Sequence, residues 1–481
     1  MEVTSFAFLG VALAVILLMN VVTNLAWRRY ILLAANLLIL KDLATPTELL
    51  PTALFLLLGY VLLTVQYHSS NRYSLGIAVA LVVLVFVVLK RYTIVRFIPS
   101  FPIQYSVVGL SYLLFRLIHL LVDVRQRAIT CLPGPLGYMN YMCFFPSLLS
   151  GPIQRFQDFE GQEVASTQYE QTRDSVERAL SRIILGFLKV LVVCGLLMRT
   201  HYFPSEFLAW TRLAGSPLEA SWVIRYAVAC IVYTVFLYLN FSGYMDIVIG
   251  LAALFGFKLP ENFNQPFRST NFLDLWSRWH ITLSEWFRFY LFNPLLKHLA
   301  RRYPAPRVLP YLGVMAFFIT FVVMGLWHGT TPIYLVYGLL LGLGVSSNKL
   351  FQVYLQAKQG KHAYERWRQR RLVGLFARSL TISYFAMALT CLWADGNLAV
   401  ILSTWRGFSA ALAAWTIVWI LGSIAFPIVE VVRETFTNSK LLNEIRANPR
   451  LRMLATAAQL WIVLATTLMF QNQVTFVYRA F

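Results

Sequence analysis

Twelve apolar runs recur along this chain, and few folds can bury so many. They are Phe6–Val22, Leu49–Val65, Leu75–Leu89, Val107–Val122, Ile183–Leu197, Val223–Leu239, Asp246–Phe257, Leu309–Leu326, Ile333–Leu343, Leu372–Leu392, Ala410–Ile428 and Met453–Met469. The short run Ile31–Leu40 is a further candidate. A straight membrane-crossing helix needs roughly 20 apolar residues, and several of these runs are shorter. The pattern therefore predicts about nine to twelve spans, some of them tilted, broken or re-entrant. Composition agrees: 58% of the 481 residues are hydrophobic and only 13% charged, where soluble domains carry about 25% charged residues. An all-α polytopic membrane protein is the expected class.

The formal net charge is +20, and the basic residues gather in a few loops. They are Arg28-Arg29, Lys90-Arg91 with Arg96, Lys297 to Arg307, Lys358 to Arg371, and Arg433 to Arg452. Positive loops stay cytoplasmic, so these clusters predict that face and contact with anionic lipid. No module that fits a nucleic-acid groove is visible, so nucleic acid is not an expected partner. The cysteines Cys131, Cys143, Cys194, Cys230 and Cys391 show no CxxC spacing and predict neither a metal site nor a disulfide framework. The first apolar run has no basic segment before it and no small-residue cleavage site after it, so it reads as a permanent span.

The chain reads as a single integral membrane domain over 1–481 with three regions. Residues 1–122 are scaffold spans, 132–346 hold nearly all the unusual polar and aromatic chemistry, and 347–481 are C-terminal spans with charged loops. The mixed-charge stretch Arg155–Arg182 reads as a cytoplasmic connector ending in a surface helix. No internal repeat is evident, which speaks against inverted-repeat transporters.

Within the central region, residues 260–296 read PENFNQPFRSTNFLDLWSRWHITLSEWFRFYLFNPLL. This segment is too polar to cross lipid and too aromatic for a free loop. An interfacial amphipathic helix accounts for its tryptophans. A re-entrant helix lining a cavity accounts for them and for His280 as well. At helical spacing Trp276, Trp279 and Leu283 share one face, and Arg278 and Glu285 another. A second histidine, His328, closes an apolar run in Leu326-Trp327-His328-Gly329. Intramembrane titratable groups are costly and usually face a cavity or pathway, and imidazole is the side chain best suited to move a proton near neutral pH. A histidine satisfied by a backbone carbonyl is the plainer alternative, and residue type alone leaves both open. Asp246 also lies among apolar residues, in SGYMDIVIG. It needs a cationic partner, with Arg278 and Arg288 as candidates, and reads as a structural ion pair rather than a catalytic group.

Five blocks in order, SGPIQRF, LNFSGYMDIVIGLAALFGF, PENFNQPF, LWSRWHITLSEWFRFYL and GLWHG, together with the final TFVYRAF, resemble the membrane-bound O-acyltransferase (MBOAT) family. The similarity is to its bacterial branch, which includes alginate-acetylating and teichoic-acid D-alanylating types, and runs from about Leu110 to the end. The resemblance implies a multi-helix bundle with re-entrant pieces around a central funnel or tunnel. It maps the family's signature histidine onto His328 as catalytic residue and the second recurrent polar position onto His280. Trp327, Trp279, Arg278, Arg288, Asn264 and Asn240 are the expected substrate-binding residues around them. The sequence departs from the family pattern in three places. Asn240 replaces a usual aspartate, Phe289 follows Arg288 where Arg-Asp is usual, and Thr331-Pro332 stand where tryptophan is common.

The resemblance further implies a multi-pass protein of the cell membrane with no bound cofactor. An acyl thioester, acetyl-CoA or an acyl carrier protein, serves as co-substrate. The first expectation is transfer of a short acyl group, acetyl above all, to hydroxyls of an extracytoplasmic polysaccharide with the help of an extracytoplasmic acyltransferase-like partner. D-alanyl transfer to a teichoic-type polymer from an acidic acyl carrier protein is the alternative, and a phospholipid acceptor comes third. From another class, a transporter or flippase for a lipid-linked or anionic molecule would use the same polar residues to line a path.

Overall fold

The computed structural model describes residues 6–22, 24–95, 109–168, 172–214, 220–394 and 396–470. Arg96, the start of the run Val107–Val122 and the terminal TFVYRAF lie outside them. Among the described residues, regular structure is helical apart from one isolated antiparallel bridge, Phe263 to Trp279. That is what lipid demands, since a helix satisfies its backbone polar groups internally. Eight helices are long and apolar enough to cross a membrane: α1 (Pro46–His68), α2 (Arg173–Met198), α3 (Ala220–Leu254), α4 (Leu309–His328), α5 (Pro332–Gln359), α6 (Arg371–Trp393), α7 (Trp405–Thr437) and α8 (Pro449–Met469). Two shorter apolar helices, Gly10–Val21 and Ser74–Leu89, accompany them. The chain is an all-α polytopic membrane protein.

The runs do not map one to one onto spans. Val223–Leu239 and the run from Asp246 as far as Leu254 belong to the single 35-residue α3. The polar stretch between them, Asn240-Phe241-Ser242, is itself buried, so nothing forces a break there. The run Val107–Val122 corresponds to a buried helix, Leu110–Arg125, in which Arg116, His119 and Asp123 are also buried. Arg155–Arg182 holds the helix Phe156–Ala165 and the first turns of α2.

The described residues fall into two compact units. The described residues of 6–187 with Tyr244–Glu261 belong to the first, and those of Leu188–Gly243 with 262–470 to the second. In the first unit, buried charges are compensated by hydrogen bonds, as burial requires. The Arg116 guanidinium donates to the carbonyls of Tyr141 and Met142, both at 2.7 Å, and to Ser147 Oγ at 2.7 Å. His119 Nε2 accepts the Phe156 amide at 3.0 Å while Nδ1 faces Asp123 at 3.5 Å. This histidine–aspartate pair thus staples the SGPIQRF segment, and its free nitrogen is consumed by backbone.

The ion pair at Asp246 corrects the sequence expectation. Its partner is Arg182, at 3.1 Å, which also grips Glu261 at 2.6 and 2.7 Å. Arg278 and Arg288 pair instead with their own helical neighbours, Asp274 at 2.7 Å and Glu285 at 3.7 Å. One turn away along the chain is the nearest place for a carboxylate to be, whereas Arg182 and Asp246 meet only through folding.

In the second unit, α4 and α5 form a hairpin of unusually close backbones. A Cβ on Gly325 would sit 2.2 Å from Gly338 Cα, and one on Gly342 would press on Phe318 at 3.1 Å. Small residues permit this approach, which is the main route to tight helix pairs where lipid supplies no hydrophobic drive. Pro332 opens α5 at its first turn, where its missing N–H costs nothing. Elsewhere α3, α6 and α7 share an apolar core that includes Trp222, Tyr226, Cys230, Ala386 and Ala414.

Gly325→Val is expected to lower the thermal unfolding midpoint in detergent, at a cost of about 1–3 kcal/mol for overpacking. Gly313→Ala, on the same helix but with open space where a Cβ would go, is expected to leave the midpoint unchanged or raise it.

Candidate active site

The segment carrying His280 is a closed loop held by backbone rather than one continuous helix. Asn262 C=O accepts the Ile281 amide at 3.0 Å, and the Asn264 amide donates to Arg278 C=O at 2.9 Å. These bonds flank the Phe263–Trp279 bridge. Asn262 is fully buried, and its side-chain oxygen accepts from both the Thr282 amide (3.0 Å) and the Thr282 hydroxyl (2.7 Å). Between these anchors His280 adopts the left-handed conformation, φ 46° and ψ 53°. Few non-glycine residues do so, and histidine is among those enriched there. Such strain persists only where surrounding structure over-determines it, typically at functional sites.

The helix expected across this region is therefore broken in two, Phe272–Trp276 and Ile281–Phe287, with His280 as the cap of the second. Helical spacing does not hold from Ser277 to His280, yet Trp276 and Trp279 still share one neighbour, Phe385 of α6. Trp276 packs on Phe321 of α4 and Phe385 of α6, with centroids at 4.9 and 6.0 Å. Trp279 packs on Phe385 at 5.0 Å and Phe263 at 5.2 Å. The aromatic residues thus fix a polar loop against the helices of its own unit.

His328 is the last residue of α4 and is 4% exposed. Its ring lies 4.8 Å from Trp327 and 5.6 Å from Tyr337. Gly329 is required by a close approach: a Cβ there would lie 2.0 Å from the Tyr334 ring. His280, 1% exposed, meets Phe241 of α3 edge-on at 4.8 Å. Burial first, and the nearby His328 second, push the His280 imidazole below the ordinary histidine range.

The expected site residues divide accordingly. His280, His328, Trp279 and Trp327 are buried, as is Asn240, which adjoins Phe241 on α3. Arg278, Arg288 and Asn264 are not part of this buried group. The Arg278 side chain is half-buried on Asp274, Arg288 is exposed beside Glu285, and Asn264 contributes its backbone while its side chain faces outward. Sequence reasoning missed Asn262, Thr282, Phe241 and Tyr337 as supports of the histidines. The only local signal was the asparagine of PENFN and the threonine two residues past His280.

With this geometry in place, comparison with known proteins defines the class. The model of the MBOAT, membrane-bound O-acyltransferase family matches residues 62–394. The chain belongs to that family. The match begins earlier than the motifs suggested and stops short of the C-terminus. A teichoic acid D-alanyltransferase of Bacillus subtilis is 30% identical over 235 residues, covering 49% of this chain and 56% of that protein. A probable alginate O-acetylase of Pseudomonas syringae pv. tomato is 30% identical over 244 residues, 50% of this chain and 42% of the other. The corresponding probable alginate O-acetylase of Azotobacter vinelandii is 28% identical over 302 residues, covering 60% and 56%. The chain spans about half the length of the curated relatives it matches.

Asn262→Ala removes the acceptor of two buried donors, and a buried donor left unmade costs about 1–3 kcal/mol. The variant is expected to unfold earlier. Asn262→Asp keeps the oxygen and is expected to recover part of the loss, read by unfolding in detergent.

Proposed function

We propose that this protein is an O-acyltransferase that moves an acetyl group from a cytoplasmic thioester to hydroxyls of an extracytoplasmic polysaccharide. The observation that carries the reading is the pair of buried imidazoles in one compact unit, His328 ending α4 and His280 held in a strained backbone. A structural histidine would need neither the second ring nor the strain. In the proposed step the acceptor hydroxyl oxygen attacks the thioester carbonyl while the His328 imidazole takes its proton. The C–S bond then breaks and the leaving sulfur takes that proton back, giving an ester and a free thiol. A neutral His280 has one N–H, and that N–H can donate to the carbonyl oxygen as negative charge develops there. A water-poor, aromatic-walled setting strengthens such a bond.

Trp279, Trp327 and Asn240 are assigned to shaping the space around the reacting groups. The donor, acetyl-CoA or an acyl carrier protein, is assigned to the face of the basic loops, and an extracytoplasmic partner to completing the transfer. The protein would reside in the cell membrane. A second reading, D-alanyl transfer to a teichoic-type polymer, is supported by the 30% identity to the teichoic acid D-alanyltransferase of Bacillus subtilis.

General-base help contributes about 10²–10⁴ in rate. His328→Ala and His328→Gln are therefore both expected to lose acylation by that order, measured by mass analysis of surface glycans from cells carrying each variant. The glycan mass that disappears distinguishes an acetyl from an alanyl unit. If His328→Gln supports the wild-type level, the residue is a path-lining hydrogen-bond group and the transport reading takes over.

A further inference from the structure

The second unit also holds a cavity of about 340 Å³ formed by α3, α6 and α7, within the size range of small-ligand sites. Its walls are almost entirely apolar, and the polar side chains on them are already used. Thr234, Ser379 and Ser383 bond to carbonyls of their own helices, and Ser383 also accepts the Trp415 indole N–H. One end is different. Arg268, Arg378 and Arg433 line it together with Glu430 alone, leaving a local balance of +2 from three cations and one anion. Glu430 is shared, at 3.6 Å from Arg268 and 3.3 Å from Arg378. Arg378 is 13% exposed, and its Nε is buried without a hydrogen-bond partner among the described residues. Arg433 is exposed and makes no ion pair among them.

We infer that this cavity binds an anionic glycerophospholipid, with the phosphodiester on Arg268, Arg378 and Arg433 and one acyl chain along the α3–α6–α7 wall. The apolar wall favours an occupant that carries an acyl chain over a free anion, and three guanidinium groups facing a single carboxylate favour a negative headgroup over a zwitterionic one. The charged end adjoins the basic stretches Lys358–Arg371 and Arg433–Arg452, which places it at the cytoplasmic leaflet, where basic pockets between helices take anionic lipids. The cavity is separate from the histidines. Ile382, Ser383 and Ala386 face it, while Phe385 on the same helix packs against Trp276 and Trp279. The inference does not rest on the proposed reaction.

The test uses the full-length protein in detergent, incubated with phosphatidylglycerol, with phosphatidylcholine of the same chains, or with inorganic phosphate. Retained lipid is counted by native mass spectrometry, and the unfolding midpoint is followed in parallel. Wild type is expected to retain phosphatidylglycerol about tenfold more tightly than phosphatidylcholine. Arg378→Gln and Arg433→Gln are each expected to shrink that preference. Ala425→Trp, an exposed wall position of α7, is expected to cut retention of both lipids while the lipid-free midpoint stays put. Equal retention of the two lipids by wild type would overturn the inference. So would a preference that survives both arginine variants, or an Ala425→Trp protein that retains lipid as wild type does. Inorganic phosphate raising the midpoint as far as phosphatidylglycerol does would show an anion site with no use for the apolar wall. If an arginine variant does not fold, Ala425→Trp and the exposed Arg433→Gln carry the decision.

Discussion

The close approach of α4 and α5 at Gly325 and Gly338 fixes where His328 can be. Helices in lipid gain nothing from hiding apolar surface from each other, so a tight pair must be won by backbone proximity and packing. The hairpin meets that need with glycines where the two backbones touch and a three-residue turn, Gly329 to Thr331, at its end. A bulky residue at Gly325 would part the helices, and one at Gly329 would displace Tyr334. The imidazole therefore sits at the end of a packed helix instead of on a loop.

His280 is positioned by a different device. No long helix carries it; buried Asn262 closes the loop just after it, the Asn264 amide closes it just before, and aromatic rings fill the space around it. The polar backbone of such a loop is tolerable at depth only because each group finds a partner within the protein. Asn262 supplies three of those bonds, one from its carbonyl and two to its side chain. The left-handed turn then aims an imidazole away from the register a helix would have imposed. A histidine placed in a regular helix would have shared its direction with residues three and four positions away; this one does not.

Much of this was legible in the chain itself. The apolar runs gave the class, and the blocks around His280 and His328 gave the family and marked the two rings. What could not be read was the set of contacts between distant positions. Asp246 needed a cation, but Arg182 became its partner while the arginines expected for it were taken by their own helical neighbours. Trp276 and Trp279 were assigned one face by helical spacing; the helix breaks between them, yet both rings still meet on Phe385. Arg278 and Arg288 were expected among the substrate-binding residues, yet each pairs with a carboxylate close to it in the chain and lies outside the buried group.

The division has a physical basis. Hydropathy and helical periodicity are local properties, and lipid enforces them strongly, so the sequence alone determined that the chain is a helical membrane protein with two out-of-place histidines. Ion-pair partners, glycine contacts and the left-handed turn depend on which segments meet after folding. Many pairings satisfy the same local pattern, and only packing selects among them. Tertiary structure therefore decided that both imidazoles are buried, and that α3, α6 and α7 leave an apolar cavity with arginines at its end.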